Sequence, residues 1–184
     1  MSVELRLVPL TREHVPAVEP LVRDPDIVYF TRIPDAAPAE FAREWVERYE
    51  NGVREGTRAG FAVLDGDGEL VGMALVPTID REAQEAEIGY LVAPAARGRG
   101  VGTEMLRRLT AWAFEQGIER VYLLIDVDNV ASNIVAERAG YAREGVMRNA
   151  YLKPGRRGDT VLWSRLPTDP PPGSQADGGA TSRS

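Results

Sequence analysis

Ten residues near the middle of the chain constrain it most: Pro94 to Thr103 read PAARGRGVGT. They separate an alternating apolar run that ends near Val92 from an apolar stripe of helical period that begins near Val101. A strand, a glycine turn and a helix must therefore follow one another within some thirty residues. Glycines let a backbone approach a ligand closely, and a helix N-terminus offers unpaired N–H groups and partial positive charge. Arg97 and Arg99 add fixed charge, and together these features describe a diphosphate cradle over Gly98, Arg99, Gly100, Val101, Gly102 and Thr103. A Gly/Arg surface loop is the plain alternative. Two common phosphate loops are ruled out, because residues 98–102 read G-x-G-x-G, with neither the Gly-Lys-Ser/Thr of a Walker loop nor the G-x-G-x-x-G of a dinucleotide turn. Asp126 and Asp128 lie too far along to be the ribose-binding acid of the latter.

The periodicity around this loop predicts a mixed α/β sheet in the order βααβββαβαββ. Val3, Leu5 and Leu7 alternate as a first strand; a helix starts at Thr11 and breaks near Pro25; Phe41, Trp45, Val46 and Tyr49 share one face of a second helix. Phe61–Leu64 and Leu70–Val76 flank the turn Asp65-Gly66-Asp67-Gly68 as a hairpin. In the strand from about Ala86 to Val92, Ala86, Ile88, Tyr90 and Val92 face one side, and Glu85, Glu87, Gly89 and Leu91 the other. Val101, Met105, Leu106, Leu109, Trp112 and Ala113 line the helix after the loop. Val121 to Val127 reads as a strand, Val130 to Ala139 as a helix closed by Gly140, and Tyr141–Met147 and Thr160–Leu166 as two further strands. One domain over 1–166 is expected. The segment 167–184, PTDPPPGSQADGGATSRS, has no large apolar side chain and is expected to be a disordered tail.

Composition narrows the chemistry. With 22 Lys+Arg against 28 Asp+Glu the formal charge is −6, which disfavours a general nucleic-acid binder. The absence of cysteine removes disulfides, thiolate metal sites and a cysteine nucleophile, so any acyl group must move without a cysteine thioester. His14 is the sole histidine, expected at the surface, and no metal site is expected. Neither a signal peptide nor a membrane span is legible, and a cytoplasmic protein is the expectation.

Arg97-x-x-Gly100-x-Gly102, placed between a strand and an amphipathic helix, resembles the acetyl-CoA pyrophosphate loop of the GNAT superfamily of N-acetyltransferases. Glu87-Ile-Gly-Tyr-Leu-Val92, Asp128-Asn129-x-x-Ser132-Asn133 and Ala139-Gly-Tyr-x-x-Glu144-Gly-x-x-Arg148 are similar to the RimJ/RimL-type branch. The likeness spans about residues 3–166. It implies a GNAT fold in which the strand before the loop splays from its neighbour. The pantetheine arm of acetyl-CoA would bond the exposed backbone of Tyr90, Leu91 and Val92, and the pyrophosphate would rest on the backbone from Gly98 to Thr103, with the side chains of Arg97 and Arg99 nearby. Asn129 would contact pantetheine or position the acceptor, and could equally cap the next helix. The implied reaction is direct attack of a primary amine, from a protein N-terminus or a small molecule, on the thioester in a ternary complex. A non-catalytic acetyl-CoA-binding sensor of the same fold is the rival, and a homodimer is allowed.

Two side-chain tasks remain. Many family members protonate the CoA thiolate with a tyrosine seven residues after the asparagine, where this chain has Ala136; the RimJ/RimL pattern offers Ser132 instead, unless that serine merely caps its helix. For the base, Glu87 and Glu144 are the candidates, although each would need burial or a water relay to serve near neutral pH. Tyr29, Phe30, Arg32 and Trp45 could wall the acceptor site, and the basic turn Lys153–Asp159 could meet the CoA 3′-phosphate or an acidic partner.

Overall fold

The computed structural model describes residues 4–172. Strand β1 spans Arg6–Pro9, followed by the short helices α1, Val15–Val18, and α2, Pro25–Phe30, and by α3, Phe41–Glu55. Strands β2, Ala59–Leu64, β3, Leu70–Asp80, and β4, Glu85–Val92, form a meander. Helix α4, Val101–Glu115, leads to β5, Arg120–Asp126; helix α5, Val130–Arg138, leads to the hairpin β6, Ala142–Lys153, and β7, Arg156–Arg165. The sheet order is β1-β2-β3-β4-β5-β7-β6, antiparallel except between β4 and β5.

Strand alternation divides the core as expected. Ala86 and Ile88 of β4 pack with Met105, Leu106 and Leu109 of α4 on one face, and Tyr90 and Val92 lean on the same cluster. Leu91 points to the opposite face, into a cluster with Val46 and Tyr49 of α3 and Val18 and Ile27 of the short helices. In α3 the buried residues are Ala42, Val46, Tyr49 and Gly52, while Phe41 and Trp45 stack at 6.0 Å on its half-buried flank. The helix is thus turned by about one position from the expected face.

The single helix expected between Thr11 and Pro25 is instead a series of short turns. Pro20 offers no N–H to continue it, and Asp24 starts a fresh helix by accepting from the Ile27 N–H at 3.0 Å, with Pro25 in the first helical position. His14 stays local, its Nδ1 accepting from the Thr11 N–H at 3.1 Å. The β6–β7 hairpin extends further than its hydrophobic runs suggest. Of the expected tail, Pro170 O accepts from the Arg165 guanidinium at 2.7 Å and Asp169 from the Leu166 N–H at 2.9 Å; residues 173–184 lie outside the described residues.

Candidate active site

The parallel pairing of β4 with β5 covers only Glu85↔Arg120, Ala86↔Val121 and Glu87↔Tyr122. Beyond Glu87 the two strands part, and their C-terminal halves enclose a gap. Ala93 donates to Val71 O on the β3 side, and alternation along the strand gives the backbone of Leu91, opposite Met73, to β3 as well. By the same alternation the N–H and C=O groups of Tyr90 and Val92 point away from β3, toward the gap, where the Val92 C=O accepts from Arg97 Nε at 3.4 Å. Of the three residues expected to offer backbone to a pantetheine arm, Tyr90 and Val92 have theirs turned away from β3, whereas the Leu91 backbone is given to β3 and its side chain is buried on the α3 side of the core.

The glycine loop stands at the mouth of this gap. Gly98 and Gly100 adopt φ of +73° and +81°, a region that suits glycine, and a Cβ on either would meet nothing within 4 Å. Gly100 is the N-cap of α4, and among the described residues no side chain caps that helix end. The first-turn N–H groups over Val101–Thr103 have no partner within the helix, as at any helix start. Gly102 serves packing: a Cβ there would lie 3.3 Å from the Tyr90 ring and 3.4 Å from Val92 and Val135. These features fit a diphosphate ester.

The two loop arginines differ. Arg99 is exposed and engages no partner among the described residues. Arg97 binds Asp24 at 2.6 Å and Asp26 at 2.9 Å, so its guanidinium ties the loop to the N-terminus of α2. Burial opposes ionisation of Asp24, but the Arg97 hydrogen bond and the Ile27 N–H outweigh it and hold the carboxyl below its ordinary value. Arg97 is a strap in this structure, and its charge is already compensated.

Across the gap, Asn129 caps α5, its Oδ1 accepting from the Ser132 N–H at 3.1 Å. Asn133, quoted in the motif but given no task there, donates to Asp126 O and Asn129 O and accepts from Trp163 Nε1 at 2.9 Å, fixing α5 to β5 and β7. The Ser132 hydroxyl meets the Tyr90 hydroxyl at 2.8 Å. Burial pushes the Tyr90 phenol up to about 12 despite the opposing hydrogen bond from Ser132, so it keeps its proton at neutral pH.

The two carboxylate candidates are separated by environment. Glu87, its side chain 16% exposed, pairs with Arg32 from the α2–α3 connection at 3.0 Å. Glu144 is held by Arg120 through two hydrogen bonds of 2.6 and 2.8 Å and accepts from Ser164 Oγ at 2.5 Å. The Arg120 bonds first, then Ser164, lower its pKa to about 2, which makes it a poor proton acceptor. Arg120 also faces Glu85 at 3.6 Å, placing Glu144 at the closed end of the seam.

The basic turn after β6 has a structural role that its sequence does not announce. Lys153 is 2% exposed and its ammonium donates to Val28 O, Ile33 O and Asp35 at 2.6, 3.1 and 2.7 Å. Arg156 stacks on the Tyr29 ring at 3.5 Å, donates to Tyr29 O and faces Asp126 at 3.5 Å. Lys153 braces α2 and the α2–α3 connection, and Arg156 ties α2 to β5, rather than standing free for a phosphate. Among the described residues no group of three or more His, Asp or Glu side chains is arranged to hold a metal ion, and no helix is long and apolar enough to cross a membrane.

The family model described as "Acetyltransferase (GNAT) domain" matches residues 4–142. YdaF of Bacillus subtilis (strain 168), named provisionally as a ribosomal N-acetyltransferase, is 34% identical over 124 residues, which cover 67% of this chain and 65% of YdaF. The match thus spans just under two thirds of that relative. Spermidine N(1)-acetyltransferase of Escherichia coli (strain K12) is 24% identical over 157 residues, 84% of this chain and 81% of its own. Among solved structures, RimL, a ribosomal L7/L12 α-N-protein acetyltransferase in complex with coenzyme A, superposes with a TM-score of 0.82 at 26% identity, covering 90% of this chain and 95% of that one.

Proposed function

Because the chain belongs to the GNAT family of acetyltransferases, we propose that it transfers acetyl from acetyl-CoA directly to a primary amine in a ternary complex. The observation that carries this reading is the gap between β4 and β5, opening onto an uncapped helix N-terminus held by two left-handed glycines. Acetyl-CoA supplies a thioester carbonyl open to attack by an amine. Residues 98–103 receive its diphosphate through backbone N–H groups and Arg99, the Tyr90 and Val92 backbone aligns the pantetheine arm, and a free N–H at this edge polarises the thioester carbonyl. Ser132 hydrogen-bonds the departing sulfur. Glu87 accepts the amine proton, directly or through water, and Glu144 is set aside as base by its pairing with Arg120.

The acceptor class follows from the cost of deprotonating the amine. Glu87 is ion-paired, and no histidine or unpaired buried carboxylate accompanies it among the described residues. An α-amine with pKa about 7.8 is roughly 14% neutral at pH 7, a cost of about 1.1 kcal/mol, whereas a lysine amine costs about 4.6 kcal/mol to deprotonate. The carboxylates carried by β4 and β5 each face an arginine: Glu85 with Arg120, Glu87 with Arg32, Asp126 with Arg156. A polyamine needs uncompensated negative charge, so the reading favours a protein or peptide α-amine, or a small amine of similarly low pKa. Such chemistry belongs in the cytoplasm, where acetyl-CoA and nascent N-termini meet. For a homodimer the candidate surface is the β6 edge, where Val146 and Met147 are exposed.

Titration with acetyl-CoA tests the reading. Saturation at 100 times Kd adds about 2.7 kcal/mol, a rise in Tm of roughly 5–11 °C for a chain of this size. Thiol release with an unblocked peptide, exceeding that with the same peptide N-terminally blocked, would support the acceptor class. Folded protein without a thermal shift at millimolar acetyl-CoA would remove the function.

A further inference from the structure

Ser132 occupies the third helical position of α5, where a serine commonly serves the helix end. Here Asn129 already satisfies its N–H. The serine hydroxyl turns to Tyr90 of β4, on the other side of the gap, and makes no other hydrogen bond among the described residues. Ala136, one turn further along α5, is buried and offers no hydroxyl.

Resting on the acetyltransferase reading above, we propose that Tyr90 is a positioning residue: its phenol donates to Ser132 Oγ and leaves the serine's single hydrogen aimed at the coenzyme A sulfur in the gap. A hydroxyl has one hydrogen, so the direction of this bond decides what Ser132 can do next. A phenol is the better donor of the pair, and a buried phenol that keeps its proton holds that direction throughout the neutral range. Without it, no other hydrogen bond among the described residues fixes the serine rotor, and its hydrogen can turn to the Asn129 side chain that the serine N–H already meets. The Tyr90 ring fills space that Gly102 leaves, since a Cβ there would lie 3.3 Å from it, so the loop that receives the diphosphate also borders the ring that orients the serine.

The chain contains no cysteine, so in a mixture with coenzyme A the only thiol is the ligand's. The pH dependence of its alkylation by iodoacetamide therefore reads the thiol pKa of bound coenzyme A directly. In the wild type that pKa is expected about one unit below that of free coenzyme A, because Ser132 hydrogen-bonds the thiolate. Tyr90→Phe, which keeps the ring, should lose most of this shift while coenzyme A affinity measured at pH 6 stays within about twofold. Ser132→Ala should lose the same shift, and the double variant no more than either, since the two groups act as one unit. Retention of the wild-type shift by Tyr90→Phe, additive losses, or an unshifted thiol in bound wild type would overturn the proposal while leaving the acetyltransferase reading in place. Failure of the wild type to bind coenzyme A would remove both. Should Tyr90→Phe not fold, Ser132→Thr carries the test: a hydroxyl held by Tyr90 preserves the shift, and loss of the shift in a folded Thr variant that still binds coenzyme A counts against the role.

Discussion

The seam between β4 and β5 has two ends built on opposite principles. At the closed end the strands pair and the charges balance, with Glu144 and Glu85 both on Arg120 and a Ser164 hydroxyl completing the set. At the open end the strands part, and among the described residues the helix N-terminus lacks a side-chain cap and the exposed Arg99 has no partner. Satisfied polar groups hold a fold together; polar groups held rigid and unsatisfied await a ligand. The same distinction separates two glutamates of identical chemistry. Glu144 is fixed by a bidentate arginine and a hydroxyl, whereas Glu87 lies beside the point where the seam opens and is held by one arginine that is half exposed.

The largest effect should come from filling the open end. Gly100→Glu forces an L side chain into φ +81° and sets a carboxylate where the diphosphate would lie. Strain of about 1–3 kcal/mol should lower Tm by roughly 2–12 °C, and the misplaced carboxylate should weaken acetyl-CoA binding about 100-fold or more. Wild-type affinity in calorimetry would show that the loop is an ordinary surface turn.

Substitution of the two glutamates compares the ends directly. Glu87→Gln should lower kcat about 10–100-fold near neutral pH and leave the acetyl-CoA Kd within about twofold, because it removes a proton acceptor without touching the cradle. Glu144→Gln should change kcat less than about twofold. The reverse pattern in initial-rate measurements would move the base to the closed end of the seam.

Much of the open end was legible because its determinants are local. Gly98, Gly100 and Gly102 sit within five residues, the α4 stripe follows at once, and Asn129 and Ser132 are three apart. Alternation alone placed Leu91 and Tyr90 on opposite faces. What periodicity could not supply were partners set by the tertiary path. Arg97 carries a charge that suits a phosphate, yet its carboxylates are more than seventy residues earlier, on a helix that the sequence pattern ran together with its predecessor. Lys153 in a Pro-Gly-rich basic turn has every mark of exposure, and only the return of β6 beneath the α2–α3 connection buries it. Tyr90 reads as a core aromatic until α5 brings a hydroxyl to it from 42 residues away.

The smallest expected effect lies at the closed end and concerns acid stability. The Glu144 carboxyl ionises with a pKa of about 2 in the folded chain, against an ordinary value of 4.5, because Arg120 and Ser164 favour its charged form. The unfolded chain therefore takes up this proton first as pH falls. The stability contributed by Glu144 is fully present above about pH 4.5 and is lost progressively as pH drops toward 2. Solvent reaches this ion pair and screens it, so the contribution is modest. Glu144→Gln should melt slightly below the wild type at pH 7, and the difference should shrink through the window from pH 4.5 to 2, as followed by thermal melts at fixed ionic strength. A difference that stayed constant across that window would mean that the Arg120 pairing does not stabilise the ionised form, and that the closed end of the seam is held by its strand pairing alone.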